Sequence, residues 1–593
     1  MDRTAVIVVT ICVILLFWTW PSAPVQNQQV DRINSTNSPS NSIKGSPPKN
    51  VEEKSILPEQ STSAPPVKLE SEKLVSLKTK NSIFTFTSLG GLKSVGLLKY
   101  KAKPCSTTNT SDIIYLNHGP VHPVFSLAGI DDNEFTMSND DNWLSMVSTN
   151  QAGIRITKKF TLSTNYLLQT SIKLENPTEK NITLKQRTLN LGTAMPLSDP
   201  DYNSNWGIQY HNGEDMEVID EAWFSNKTLG CIPGTPRTYF TSSPTLGINT
   251  KNWLGIHNRF FSMVTIPTQP LPNTIAYSQE TPIPPKSNNQ VQSADEQYVH
   301  TKGILASFRW PERELKPGQS VEQEFTTYAG PKEYKTLVRL GITFQNSLQS
   351  IMDFDGFFGF FTRLLLRSMN GLHSWGLSYA LSIIVITIII KLLFFPLTRS
   401  STVSMKRMQA FQPQMAEIRE KYKGDPQKMN KKTMEFMREH KINPLGSCLP
   451  MLIQLPIFLG YFFMLRSAVE LRGAEFLWAC DLSQSDTVAH IAGFPINPLP
   501  IIMTITMVLQ MQMTPTSPTM DPMHQKMMKF MPLMFAFIMY SFPSGLCLYW
   551  TVSNILTIIQ TKLTRDIIVS TPNTTTPNAA LAKPIKAKNK RKK

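Results

Sequence analysis

The sequence predicts a polytopic α-helical membrane protein that carries a large all-β domain outside the membrane. Three observations predict it. Long apolar runs crowd the chain after residue 374, although mean hydropathy is only -0.16. Residues 75–330 instead alternate apolar and polar positions in short runs separated by Gly, Asn and Pro. Much of the net charge of +16 sits in two segments that flank the apolar runs, 399–447 and the tail "KPIKAKNKRKK". A chain of 593 residues is also too long for one domain, so modules are expected.

The first module is residues 1–20. The apolar run from Thr4 to Trp20 is long for a signal-peptide core and long enough to span, and no A-x-A-like cleavage site follows it before Pro21 and Pro24. It reads as an uncleaved transmembrane anchor. Residues 21–74 are rich in Ser, Asn, Gln, Pro and Thr. They cannot bury enough apolar area to offset chain entropy, and read as a disordered tether.

Residues 75–330 read as a β sandwich. "SIFTFTS" runs into an "LGG" turn, and "YLLQTSIKL" leads through "ENPTEKN" to "ITLKQRTLN", with the period of two that marks half-buried strands. No H-E-x-x-H, G-x-S-x-G or phosphate-binding Walker motif occurs, and the nine histidines are scattered. Neither a covalent enzyme activity nor a cofactor is expected. Cys105 and Cys231 both fall here; they can pair with each other if the domain is exported, or stay free. Cys12, Cys448 and Cys547 lie in or beside apolar segments and read as small buried hydrophobes.

Residues 331–374 read as a linker and an amphipathic helix, in which Phe354, Phe357, Phe358, Phe361, Leu364, Leu365 and Met369 recur near helical spacing beside Arg363 and Arg367. Placed just before a membrane span, such a helix suits the membrane interface. Five spans are expected at about 375–397, 448–466, 492–513, 527–542 and 546–563. Between the first two, residues 399–447 read as a charged helical hairpin. Gly424 breaks it, and Asp425 caps the second arm with Pro426 in its first turn. The hairpin holds eleven cations from Arg399 to Lys441, whereas loop 470–491 holds Arg472 against Glu470, Glu475, Asp481 and Asp486. The positive-inside rule then places the hairpin, the basic tail 564–593 and the N-terminus in the cytoplasm, and the β domain outside.

Within the spans, Lys391 has no acid near it in sequence, Thr387 lies one helical turn before it, and Gln454 lies in the next span. Two roles are open to the lysine: a snorkelling anchor that reaches the headgroups, or a cation facing a wet cavity between helices. Nineteen of the 27 methionines fall in 401–540, which suggests an adaptable apolar surface. The last two spans are short against the usual ~20 residues, which favours a thinned bilayer. None of the five spans holds Asp or Glu, so proton coupling is not expected.

The stretches "INPLGSCLPMLIQLPIFLGYFFMLRSAVELR", "WACDLSQSD", "MDPMHQKMMKFMPLMF" and "SFPSGLCLYWTVSNILTIIQ" resemble the YidC/Oxa/Alb membrane insertase family, in its Gram-negative type with a large periplasmic domain. "NWLGIHNRFF" and "YAGPKEY" resemble that domain. The resemblance implies a five-helix core (375–563) with a hydrophilic groove open to cytoplasm and lipid, and a periplasmic supersandwich similar to sugar-epimerase folds without their catalysis. The family's groove cation is usually Arg; Lys391 stands at that position and keeps the charge without the bidentate fork. Substrate-contacting positions fall on Thr387, Phe458 and Trp550. The implied function is insertion and chaperoning of membrane proteins in the bacterial inner membrane. A client's hydrophilic flank enters the groove while its apolar helix slides along a Met- and Phe-lined face. The implied partners are nascent membrane proteins, the ribosome, the Sec translocon and its accessory subunits, the signal recognition particle receptor and phospholipid. A transporter or channel would instead predict inverted repeats and intramembrane acids, and a membrane-anchored carbohydrate-binding protein a pocket of carboxylates or aromatics in 75–330.

Overall fold

The structure is a computed structural model. It describes residues 72–564 except 103, 106–112, 119–121, 164–165, 197–205, 228–233, 244–246, 284–301, 355, 441–448 and 514–521. The expected anchor, almost all of the tether, Cys231 and the basic tail lie outside the described residues. The described chain falls into two compact units. One holds the strands up to residue 352; the other holds residues 353–564 together with Pro104 and Cys105.

The strand unit is antiparallel throughout. Its largest sheet has nine strands and runs, in spatial order, from Met216–Ile219 through Gly207–His211, Trp253–His257, Phe261–Pro267, Ser320–Pro331, Leu167–Glu175, Arg155–Leu162 and Trp143–Thr149 to Thr136–Asn139. A five-stranded sheet centred on Lys302–Trp310, a four-stranded sheet from Leu74–Lys78 to Ile113–Leu116 and a two-stranded pair of Ile182–Leu184 with Arg313–Leu315 accompany it. Aromatic rings join the layers: Phe325 of the large sheet lies 6.4 Å from Phe308 of the five-stranded sheet and 5.8 Å from Phe125, which in turn meets Phe160 at 6.0 Å. Strand Trp143–Thr149 buries every second residue, as a strand with one face on the core must. The "LGG" turn has Gly90 at φ +95°, and a Cβ there would come within 2.4 Å of the Phe135 ring.

The same alternation places a lysine inside. In Arg155–Leu162 the core-facing positions are Ile156, Lys158 and Phe160. Lys158 is wholly buried, and its Nζ donates to Gly90 O at 2.6 Å, Phe125 O at 2.9 Å and Asp131 Oδ2 at 2.5 Å. Asp131 Oδ2 also accepts from Leu127 N at 2.7 Å. Desolvation pushes the Lys158 pKa down and the Asp131 pKa up, and each partner opposes the other's shift.

Helices are numbered α1 (Glu221–Ser225) and α2 (Tyr334–Thr343) in the strand unit. In the helical unit they are α3 (Gly356–Ser374), α4 (Tyr379–Leu393), α5 (Phe395–Ala410), α6 (Gln412–Lys421), α7 (Pro426–Glu439), α8 (Leu449–Ser467), α9 (Pro498–Met513), α10 (Pro522–Met539) and α11 (Ser544–Leu563). α3 buries Phe357, Leu365, Leu366 and Met369 and exposes Phe360 and Leu364. It packs on α8 where Gly460 leaves room for Phe361 and Leu365. α7 starts on Asp425, whose side chain accepts from Lys428 N at 3.0 Å, with Pro426 in the first turn. Met408, Phe411, Met415 and Met437 form a small core between the hairpin arms.

Two of the apolar helices are shorter than the spans expected there: α4 has 15 residues and α9 has 16. Among the described residues no single helix is long and apolar enough to cross a membrane; one pair, α4 with α5, passes that test together but bends by 59°. The reasons are local. Gly376 (φ +93°) and the cap at Ser378 delay α4 to Tyr379, and the helix breaks at Phe394 ahead of Pro396. Residues Ala489–Ile491 and Phe494–Ile496 form a β hairpin where the third of these spans was expected to begin, and α10 stops at Met539 before the "SFPSG" turn.

Removing one partner of the Lys158–Asp131 pair leaves an uncompensated buried charge, so Lys158→Met or Asp131→Leu should each cost about 3–5 kcal/mol, whereas the double variant should cost far less. Denaturant unfolding of the full chain in detergent, followed by near-ultraviolet circular dichroism of the aromatic core, checks this. Equal losses in the single and double variants would refute it.

Candidate membrane-embedded polar site

The site is built on α11. Its sequence "SGLCLYWTVSNILTIIQTKL" is apolar overall but repeats polar side chains every three or four residues: Tyr549, Ser553, Thr557, Gln560 and Thr561, with Thr564 just beyond. This spacing puts them on one face of the helix. Thr557, Thr561 and Thr564 each donate their hydroxyl hydrogen to the carbonyl four residues back, at 2.8, 2.8 and 2.9 Å. Their oxygens are thereby left to act as acceptors.

Lys391 on α4 uses one of them. Its Nζ donates to Thr557 Oγ1 at 2.9 Å, and its carbonyl accepts from Gln560 Nε2 at 3.3 Å. Among the described residues no carboxylate pairs with it. Thr387, one turn earlier and 1% exposed, donates to Ile383 O at 2.7 Å. On α8, Gln454 Nε2 donates to Tyr549 Oη and, at 3.3 Å, to Ser553 Oγ. The two expected polar residues thus dock on the same seam one helical turn apart, about 6 Å along the axis.

Phe458 and Trp550 meet each other instead. Their rings stand edge to face at 4.8 Å, and Phe535 of α10 lies 4.7 Å from Trp550. Tyr461 stacks on Tyr549 at 4.4 Å. The sequence reading missed Tyr549, Ser553, Asn554, Thr557 and Gln560; their four-residue period in an apolar run was the signal. Asn554, buried, donates to Thr506 Oγ1 at 3.2 Å and Met503 O at 3.4 Å, which ties α11 to α9.

Around this seam the helices turn large apolar side chains outward. α4 exposes Ile388, Ile389, Leu392 and Leu393; α10 exposes Phe530, Leu533, Met534 and Phe537. The methionine-rich surface is narrower than its composition suggests, because Met464, Met503, Met507 and Met539 are buried packing residues, and only part of the set faces outward.

The loop before α9 closes the opposite end. The first four N–H groups of α11 are all bonded: Ser544 N to Gln484 O at 2.7 Å, Gly545 N to Leu482 O at 2.9 Å, and Leu546 N and Cys547 N to Pro543 O. Asp486 Oδ2 accepts from Trp478 Nε1 at 2.8 Å and from Leu499 N, in the first turn of α9, at 2.7 Å. Among the described residues no group of three potential metal ligands stands together. Cys105 is bonded to Cys480, which replaces the pairing with Cys231 considered from sequence.

A polar seam ringed by outward apolar side chains is the pattern of a helical membrane protein, and the chain's other unit is a β sandwich. Comparison with known proteins gives the family. The model described as "60Kd inner membrane protein" matches residues 371–571, and that described as "YidC periplasmic domain" matches 92–367. A membrane protein insertase YidC from Syntrophus aciditrophicus is 30% identical over 85% of this chain and 87% of its own length. One from Geobacter metallireducens is 47% identical, over 42% of this chain and 44% of that protein, so this alignment spans under half of either. A crystal structure of an active YidC insertase with its first transmembrane domain resolved is 18% identical over 83% of this chain and 92% of that chain, with a TM-score of 0.31. The chain belongs to the YidC family of inner-membrane proteins, which combine a periplasmic β-sandwich domain with a helical C-terminal region.

Asn554→Ala should lower the stability of the detergent-solubilised protein by about 0.6–1.7 kcal/mol, the range for hydrogen bonds between helices in membranes. Thermal unfolding checks it; an unchanged transition would mean that the α9–α11 contact rests on packing alone.

Proposed function

We propose that this chain is a membrane protein insertase and chaperone of the bacterial inner membrane, acting on nascent membrane proteins and in contact with lipid. The observation that carries the reading is Lys391, a cation held on the α11 hydroxyl seam with no carboxylate among the described residues. An ammonium has three donors, and Thr557 takes one. The buried Gln560 Oε1 beside it accepts no hydrogen bond from the described residues. Buried polar groups are nearly always hydrogen-bonded, so this seam suits a polar visitor such as water or a client's hydrophilic flank. The client's apolar helix would meet the outward side chains of α10 and leave for lipid, a transfer worth about 25 cal/mol per Å2 of apolar surface.

In this reading five spans carry the groove. A sixth at residues 1–20 sets both termini in the cytoplasm, and α3 lies in the interface. Short helices fit a locally thinned bilayer, which lowers the cost of passing a polar flank. Thr387, Gln454, Phe458 and Trp550 line or brace the groove. The hairpin and tail would meet the ribosome or the targeting receptor, since clustered cations bind polyanions by counterion release, and the Sec translocon would share clients.

Reconstitution of the pure protein in liposomes with a small phage-coat-like client tests the function. Lys391→Arg should keep activity. Lys391→Ala and Lys391→Glu should slow insertion of acidic-flanked clients by about tenfold, which is ~1.4 kcal/mol, and clients with neutral or very short flanks less. Expression and topology are measured for each variant. If Lys391→Glu inserts acidic-flanked clients as well as wild type, the lysine is only an anchor.

The tail from Lys583 to Lys593 carries seven cations and no acid. Its removal should weaken ribosome pelleting at low salt and change little at high salt. Equal pelleting of both forms at low salt would exclude the tail as a ribosome contact.

A further inference from the structure

Cys105 and Cys480 stand 375 positions apart in sequence, with their Cα atoms 5.5 Å apart and their sulfurs bonded. Cys105 follows strand Gly91–Lys101 in the chain but groups with the helical unit. Pro104 beside it lies 3.5 Å from where a Cβ on Gly473 would stand. The partner cysteine sits at the end of a tight turn in which Phe476 and Ala479 exchange backbone hydrogen bonds of 2.7 and 2.8 Å. The next residues supply the helix caps: Asp481, Leu482 and Gln484 give the carbonyls that receive Ser544 Oγ, Gly545 N and Ser544 N. Asp486 holds the start of α9. The sulfur bridge is thus attached to the segment that fixes the first turns of two apolar helices.

We propose that Cys105–Cys480 is a thiol–disulfide switch on the exported side of the membrane. Closed, it holds residues 476–487 over the first turns of α9 and α11; opened, it lets that segment and those turns loosen. Closing it removes two protons and two electrons from the two thiols. One thiolate of the pair attacks the disulfide of an oxidising dithiol protein to give a mixed disulfide, and the second cysteine then displaces the oxidant, which leaves as its dithiol; a reducing dithiol protein opens the bridge by the reverse exchange and leaves as its disulfide. Such oxidants work in the periplasm and not in the cytosol. The bridge therefore also demands that both cysteines be exported. The segment is suited to control because helix ends and their covering loops open at lower free energy than packed helix centres.

The test uses the full chain expressed in an oxidising periplasm-bearing host, quenched in acid and alkylated. Peptide mapping should find Cys105 joined to Cys480, and both should resist a maleimide until reductant is added. Cys105→Ser should expose Cys480 to the reagent, and Cys480→Ser should expose Cys105. Hydrogen exchange in wild type should accelerate on reduction by about tenfold at 476–487 and 544–548, a local opening rather than global unfolding. The Cys105→Ser/Cys480→Ser protein should exchange fast there with or without reductant. Wild type alone decides the matter if a variant fails to fold. A Cys105–Cys231 peptide, or two freely labelled thiols, would overturn the bridge. Exchange at 476–487 that is unchanged by reduction would overturn the switch.

Discussion

A polar side chain inside an apolar helix must find a partner, because hydrocarbon offers none. In this chain that constraint falls on α11 and organises the rest of the helical unit. Its hydroxyl and amide groups recur on one face, and three neighbours dock there: α4 through Lys391, α8 through Gln454 and α9 through Asn554. The docking is directional where dispersion packing is not, so the polar bonds set which faces meet. What remains of each helix surface is apolar and turned outward, as Leu533 and Phe537 of α10 show. Such faces need an apolar solvent.

The second requirement is at the helix ends. Four N–H groups at the start of α11 have no partner within the helix. They are satisfied by Pro543 and by the Leu482–Gln484 segment. Asp486 does the same for α9, with its negative charge at the favoured end of the helix dipole. Asp481 and Asp486 are both buried, so they work as structural acceptors as well as counting among the acids of loop 470–491.

Much of this was legible in the sequence. Period-two alternation in "SIFTFTS" and "YLLQTSIKL" is a direct image of the pleat, and it corresponds to strands Ser82–Thr87 and Leu167–Glu175. Asp425 and Pro426 signal a helix start through purely local chemistry, and α7 begins there. Helix ends set by context were less legible. Hydropathy carries an apolar run straight through Phe394, whereas the backbone breaks ahead of Pro396 and bends by 59°. Lys158 shows the same limit: alternation points it inward, but nothing in the sequence names Asp131, Gly90 O and Phe125 O as its partners. The pairing of Cys105 was invisible for the same reason. Its partner lies 375 residues away, and local composition made Cys231 the nearer choice.

Of the site residues, Lys391 and Gln454 were found because charge and amide stand out in an apolar run. The α11 seam was missed because Ser and Thr are common in membrane helices, where they bond back to their own carbonyls. Yet that back-bonding gives the lysine its character. Thr557 commits its hydrogen to Ser553 O, so its oxygen can only accept, and Lys391 spends one of its own N–H donors on it. Two donors of the ammonium remain. In the proposed role, a carboxylate arriving on a client's flank would take them without first breaking the Thr557 bond, so capture would not dismantle the seam. A guanidinium in the same place would present a planar fork that asks for one geometry of carboxylate. A compact ammonium on a flexible stem asks only for negative charge nearby. Either cation would supply the positive field that the proposed role needs, so the choice between them would change the geometry of capture and not its occurrence.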